Sequence, residues 1–292
     1  MKKLKLFPAV IALALLAGCA SPGLNKQQKR AVSSYAQSAQ ALNGMAGQEF
    51  LAIRNQVIEL NKLTAAFSPT WDAEDKDFDR ALNVVDTRTR VKAVATLRSY
   101  AELLSGFVDD WEDDRIKGAA ANFVSNVRDL DSNQKIDDNY LNVFEKVVTG
   151  IGRIFVEKKK KEAVVAVVAM SHEQVAHLCD LLIKDFSGVG GYTSQLVTTA
   201  SQTLVAADSY LRKSGEQPGR DSAVEAYDLG QLALQRHAEL HAGISEAAEH
   251  MKQANTDLVD VLREKKPQPF KSFAHFKLTV EALAETAQYY TR

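Results

Sequence analysis

Two histidines stand closest to a recognisable chemistry. In His237-Ala238-Glu239-Leu240-His241 they lie four residues apart. On a helix that spacing leaves a ~40° offset, so both imidazoles can reach one ion. A metal centre needs a third ligand from another helix, and the sequence does not locate one. His241 also falls on an apolar helical seam, where a hydrogen-bonded core histidine is the simpler reading. No metal is therefore expected, with His237 and His241 kept as the candidates should one bind. Nucleophilic catalysis has no foothold: the chain contains no G-x-S-x-G, no glycine-rich phosphate loop and no paired carboxylates in a recognisable context. No catalytic residue is assigned, no enzyme is expected, and no cofactor is implied apart from the lipid introduced below.

Other polar clusters fail on spacing. His172-Glu173-Gln174-Val175-Ala176-His177 has one residue too many for the zinc-protease pattern H-E-x-x-H. Five helical steps turn the second imidazole ~140° away from the first. Asp75, Asp77, Asp79, Leu82 and Asp86 match several positions of a calcium loop, but Arg80 stands where that loop needs glycine. The run from Asp129 to Asp137 has Gln134 at the turn and Tyr140 where a bidentate glutamate belongs. Acidic helix starts, favoured by the helix dipole, account for both runs. Asp109 to Asp114 packs five acids around Trp111 and reads as a solvated helix end, with a docking surface for a basic partner as the alternative.

The remaining reactive type is cysteine, present twice. Cys19 follows Lys2, Lys3 and Lys5 and an apolar run from Leu6 to Ala17 broken only by Pro8. About a dozen apolar residues suit an export signal and fall short of the ~20 needed to span a bilayer. Leu16-Ala17-Gly18-Cys19 resembles the lipobox of bacterial lipoprotein precursors. The resemblance implies a diacylglycerol on the Cys19 thiol, cleavage between Gly18 and Cys19, and acylation of the new amino group. Ala20 replaces the aspartate that commonly retains such proteins in the inner membrane. The resemblance thus implies the periplasmic face of the outer membrane, with the inner membrane as the alternative. At ~0.8 kcal/mol per buried methylene, three acyl chains hold a protein where one would not.

Signal removal takes three lysines and no acids from 36 bases and 37 acids, leaving 274 residues with a net charge of −4. That balance carries no nucleic-acid electrostatics, and no nucleic-acid partner is expected. With Cys19 lipidated, Cys179 has no intrachain disulfide partner and is expected as a small buried hydrophobe on an apolar helix.

The elements that must hold these residues are helices throughout. Apart from Pro8 and Pro22, prolines occur only at 69, 218, 267 and 269, where the apolar periodicity stops. Stripes with steps of three and four run from Tyr35 to Phe67, Val91 to Trp111, Tyr140 to Ile154 and Val164 to Phe186. Ser187-Gly188-Val189-Gly190-Gly191 is a helix stop. Helices are expected over Thr193–Lys213, Ala223–Glu264 (seamed by Tyr227, Leu234, His241, Ile244, Ala248, Met251, Asn255, Leu258 and Leu262) and Phe270–Tyr290. The fold class is all-α: an elongated antiparallel bundle of about six or seven helices. Residues 1–18 are read as signal, 19–24 as lipidated tether and 25–292 as a single helical-bundle domain. So short a tether keeps the body within roughly 20 Å of the membrane, with Lys26, Lys29 and Arg30 near the headgroups.

Two segments invite membrane readings. Lys158 to Lys161 precede an apolar run from Ala163 to Met170, too short to span a bilayer but comparable to segments that helical pore-forming toxins bury before insertion. A central helix apolar on every face is the plainer expectation. Phe270, Phe273 and Phe276 with Lys265, Lys266, Lys271 and Lys277 can face a membrane, or can dock a terminal helix on the bundle; docking is preferred. The sequence reading is of a non-catalytic, membrane-anchored lipoprotein serving as a binding or scaffold component of the cell envelope, with a protein partner it does not name. A membrane-active helical protein, or a metal-binding sensor or enzyme, are the alternatives.

Overall fold

The computed structural model describes residues 23–68, 78–79, 82–109, 113–130, 157–213, 218–263 and 270–290. The lipobox, most of the tether, the predicted Tyr140–Ile154 stripe, Asp75 and Asp77 of the first calcium-like run and most of the second lie outside them. Within them the chain is helical: α1 (Lys26–Phe67), α2 (Val84–Val108), α3 (Asp113–Leu130), α4 (Glu157–Phe186), α5 (Tyr192–Leu211), α6 (Arg220–Arg236), a π-helical turn (His237–His241), α7 (Ala242–Leu262) and α8 (Phe270–Tyr290). The helices pack as a bundle, and no strand occurs among the described residues.

The 42-residue α1 is the axis, touching α2, α5, α6, α7 and α8. Its start is fixed by a capping box: the Asn25 side chain accepts from the Gln27 and Gln28 amides at 3.0 and 2.9 Å, and Gln28 Oε1 accepts from the Asn25 amide at 3.0 Å. Gln28 Nε2 also donates to the Val261 and Leu262 carbonyls, tying the start of α1 to the end of α7. Every residue of the predicted α1 stripe is buried except Thr64, which is half-buried and bonds Thr203 at 3.1 Å. At ~1.5–3 kcal/mol for each buried Leu, Ile, Val or Phe, this one face is a principal source of stability. The stripe of α2 (Val94, Leu97, Ala101, Leu104) and that of α4 (Val164, Val168, Val175, Cys179, Leu182, Phe186) are buried in the same core. A smaller cluster of Leu63, Phe67, Ala207, Ala223 and Ala226 closes the far end of α1.

Directions follow from cross-contacts. Gln40 reaches Ser105, and Gly47 faces Val94, so α2 runs opposite to α1. The glycine stop after α4 does not reverse the chain. Phe186 and Tyr192 both pack on the Phe50 ring, and Thr203 meets Thr64 further along, so α4 and α5 follow α1 in the same direction. The return is one rod, α6 through α7, running opposite to α1. The sequence reading placed Tyr227 and Leu234 on its inner seam. They are half-buried, and Ala223, Ala226, Gly230 and Ala233 are buried instead. A Cβ on Gly230 would lie 2.9 Å from Leu204 Cγ, so small residues let α5 and α6 approach closely.

The apolar run of α4 is not apolar-buried on every face. Ala163, Val164, Val167 and Val168 enter the core, while Val165, Ala166, Ala169 and Met170 are half-exposed. The last helix docks on the bundle: Phe273, Phe276, Val280 and Leu283 are buried, and Lys271 and Lys277 stay exposed. No helix of the described residues is long and apolar enough to cross a membrane.

Candidate functional site

The histidine pair meets at the break between α4 and α5. The π turn, with its wider i→i+5 bonding, carries both rings. Gly188, at φ 77°, gives His237 its space, since a Cβ there would sit 2.5 Å from His237 Nε2. His241 is fully buried against the Phe186 ring.

What faces the pair is Glu49 of α1, itself buried. His241 Nε2 lies 3.1 Å from Glu49 Oε2, and the two Nδ1 atoms are 3.3 Å apart. Arg236 grips the same carboxylate with both arms, Nε donating to Oε2 at 2.9 Å and an Nη donating to Oε1. One tautomer set satisfies every contact: His237 Nδ1–H donates to His241 Nδ1, and His241 Nε2–H donates to Glu49. The chain of bonds ends at Arg236, whose guanidinium lies 5.6 Å from the Tyr290 ring centre. The Tyr290 hydroxyl in turn donates to Glu239 at 2.8 Å.

The electrostatics follow. Burial alone would push the Glu49 carboxyl up, but hydrogen bonds from His241 and Arg236 and the Arg236 charge outweigh it and hold it below its usual range. Burial, then the neighbouring His241, lowers His237. Burial and the bond to Glu239 push the Tyr290 phenol up to about 12. With both groups lowered, neutral pH leaves Glu49 a carboxylate and the His237 imidazole neutral.

Among the described residues no three His, Cys, Asp or Glu side chains converge as ligands. The structure therefore brings His237 and His241 together as the spacing suggested, but as links in a hydrogen-bonded chain.

Glu49 and Arg236 were not singled out from the sequence. A signal existed: Glu49 interrupts the apolar stripe between Ala46 and Phe50, where a charge is tolerated only with a buried partner. The other sequence candidates do not converge. Asp79 is ion-paired with Arg54, and Asp86 accepts from Asn83 at the start of α2. His172 accepts from Asn255, while His177 is exposed. Cys179 is fully buried, and burial pushes its thiol well up, so it is inert. Cys19 and Gly18 lie outside the described residues.

No protein-family model, curated protein or solved structure matches this chain. Its function is argued from its own residues.

Proposed function

We propose that the chain is a lipid-anchored, non-catalytic component of the cell envelope, held at the periplasmic face of the outer membrane through Cys19, whose helical bundle binds another envelope protein. The observation that carries this reading is Leu16-Ala17-Gly18-Cys19 directly after a basic start and an apolar run. Two features of the body support it. The polar atoms of its most elaborate buried cluster are engaged with one another, which suits a structural network better than a reaction centre. Helix α1 begins within a few residues of the proposed lipid, and Lys26, Lys29 and Arg30 at its start are exposed and free to meet headgroups.

The reading is tested by growing cells with labelled palmitate and separating their membranes. Label is expected on the wild-type chain in the outer-membrane fraction, and Cys19→Ala is expected to remain unlabelled and leave that fraction. An unlabelled wild-type chain would remove the anchor and the localisation together.

A further inference from the structure

An open groove of about 600 Å³ lies between α1 and α6, outside the histidine cluster. Its apolar floor is Val224, Leu229 and Leu232, and its rim is Glu59, Asp221, Glu225 and Asp228. Val224 and Leu232 are 45% and 43% exposed, an uncommon exposure for aliphatics on a helix whose inner face is nearly all alanine and glycine. Among the described residues, Lys62 reaches Glu59 at 3.9 Å and Arg220 begins α6.

We propose that this groove binds a cationic amphipathic helix of a partner protein, with Leu, Ile or Val side chains entering between α1 and α6 and Lys or Arg flanking them. The charge of the rim selects the sign, since four carboxylates around an apolar floor disfavour an anionic segment. The length of the face selects the element. Asp221, Val224, Asp228 and Leu232 follow about three turns of α6, with Glu59 beside them from α1, and a partner helix laid along such a face presents anchors at i, i+3, i+4 and i+7. The same carboxylates repel an anionic lipid surface. Glu59 is also ~50 Å along α1 from its first residue. The occupant is therefore a protein segment and not the membrane.

This inference deepens the partner-binding part of the proposed function and rests on it for the partner's being a protein. The test uses the chain from Ala20 to Arg292, which contains the whole core from Leu24 to Leu283 and needs no detergent. The probe is a fluorescent 14-residue peptide with Leu on one face and Lys on the other, and its control carries Glu in place of Lys. Anisotropy should show saturable, salt-sensitive binding of the Lys peptide alone. Glu225→Lys with Asp228→Lys should weaken it by about tenfold or more, and Leu232→Ser should weaken it with little change in salt dependence. All three side chains are exposed, and unchanged circular dichroism verifies folding. No binding, equal binding of the Glu peptide, or binding indifferent to these substitutions overturns the proposal. So does sedimentation showing a dimer that Leu232→Ser dissociates, since the groove would then be covered by a second copy. No membrane enters the assay, so failure here leaves the Cys19 anchor standing, and failure to label Cys19 leaves the groove standing.

Discussion

Two polar intrusions enter the core along the inner face of α1, about a third of its 42 residues apart, and they are built on opposite principles. Near Glu49, charges are buried in pairs: carboxylate, guanidinium and two imidazoles from α1, the end of α6 and the π turn. Near Tyr35, the polar groups are neutral. Tyr100 donates to Asn255 at 3.1 Å, Asn255 donates to His172 Nδ1 at 3.1 Å, and the Tyr35 hydroxyl is buried without a hydrogen-bond partner. Tyr35 is held by ring contacts instead, with Tyr100 and Phe276 at 6.1 and 6.0 Å. The charged region depends on its ion pair, because removing Glu49 or Arg236 strands the charge of the other. The neutral region can lose a group and repack.

The contrast is broken or sharpened by single substitutions. Glu49→Ala should have the largest effect, about 3–5 kcal/mol in urea unfolding, because it strands buried Arg236 and His241. A loss under ~1 kcal/mol would mean that the cluster is solvated and the contrast is false. Asn255→Ala removes the acceptor of Tyr100 and the donor to His172, and should cost about 1–3 kcal/mol by the same measurement. A loss equal to that of Glu49→Ala would erase the distinction between charged and neutral networks.

Acid should act on the charged region. His237 is lowered on folding, so the unfolded chain takes up the proton first, and stability should fall as pH drops below about 6.5. Glu49 is also lowered, so its stabilisation is present above the unfolded carboxylate range and lost as pH falls through its folded value. Both slopes have the same sign. Thermal midpoints measured from pH 7.5 to 5 should decline, and His237→Gln should flatten the decline. An unchanged slope in that variant would place the titration elsewhere.

The smallest effect is expected at Tyr35. Tyr35→Phe deletes an unpartnered hydroxyl and keeps the ring, so it should stabilise by up to ~1 kcal/mol. Destabilisation of more than that would show that the hydroxyl has a partner and that the neutral region is as interlocked as the charged one.

Most of the fold was legible because helical periodicity is local. Tyr35 to Phe67 and Val164 to Phe186 could be read as buried stripes from spacing alone, and Phe270–Tyr290 matches its observed bounds. The site was half legible. His237 and His241 announce themselves at four-residue spacing, whereas Glu49 is 192 residues from His241 and has no local mark except a charge on an apolar face.

The sequence by itself determined where helices form, which face of each is apolar and where they stop, since propensity, proline and glycine act within a few residues. It also determined Leu16-Ala17-Gly18-Cys19, on which the anchoring proposal rests. Only the tertiary structure decided that α5 continues onward past the end of α4 instead of turning back, and that small residues set the α5–α6 approach. It likewise decided that the histidine pair closes onto the buried Glu49 carboxylate, and that acids rim a groove at Val224 and Leu232. These depend on residues far apart in the chain meeting in space, and one-dimensional spacing carries no record of which faces will meet.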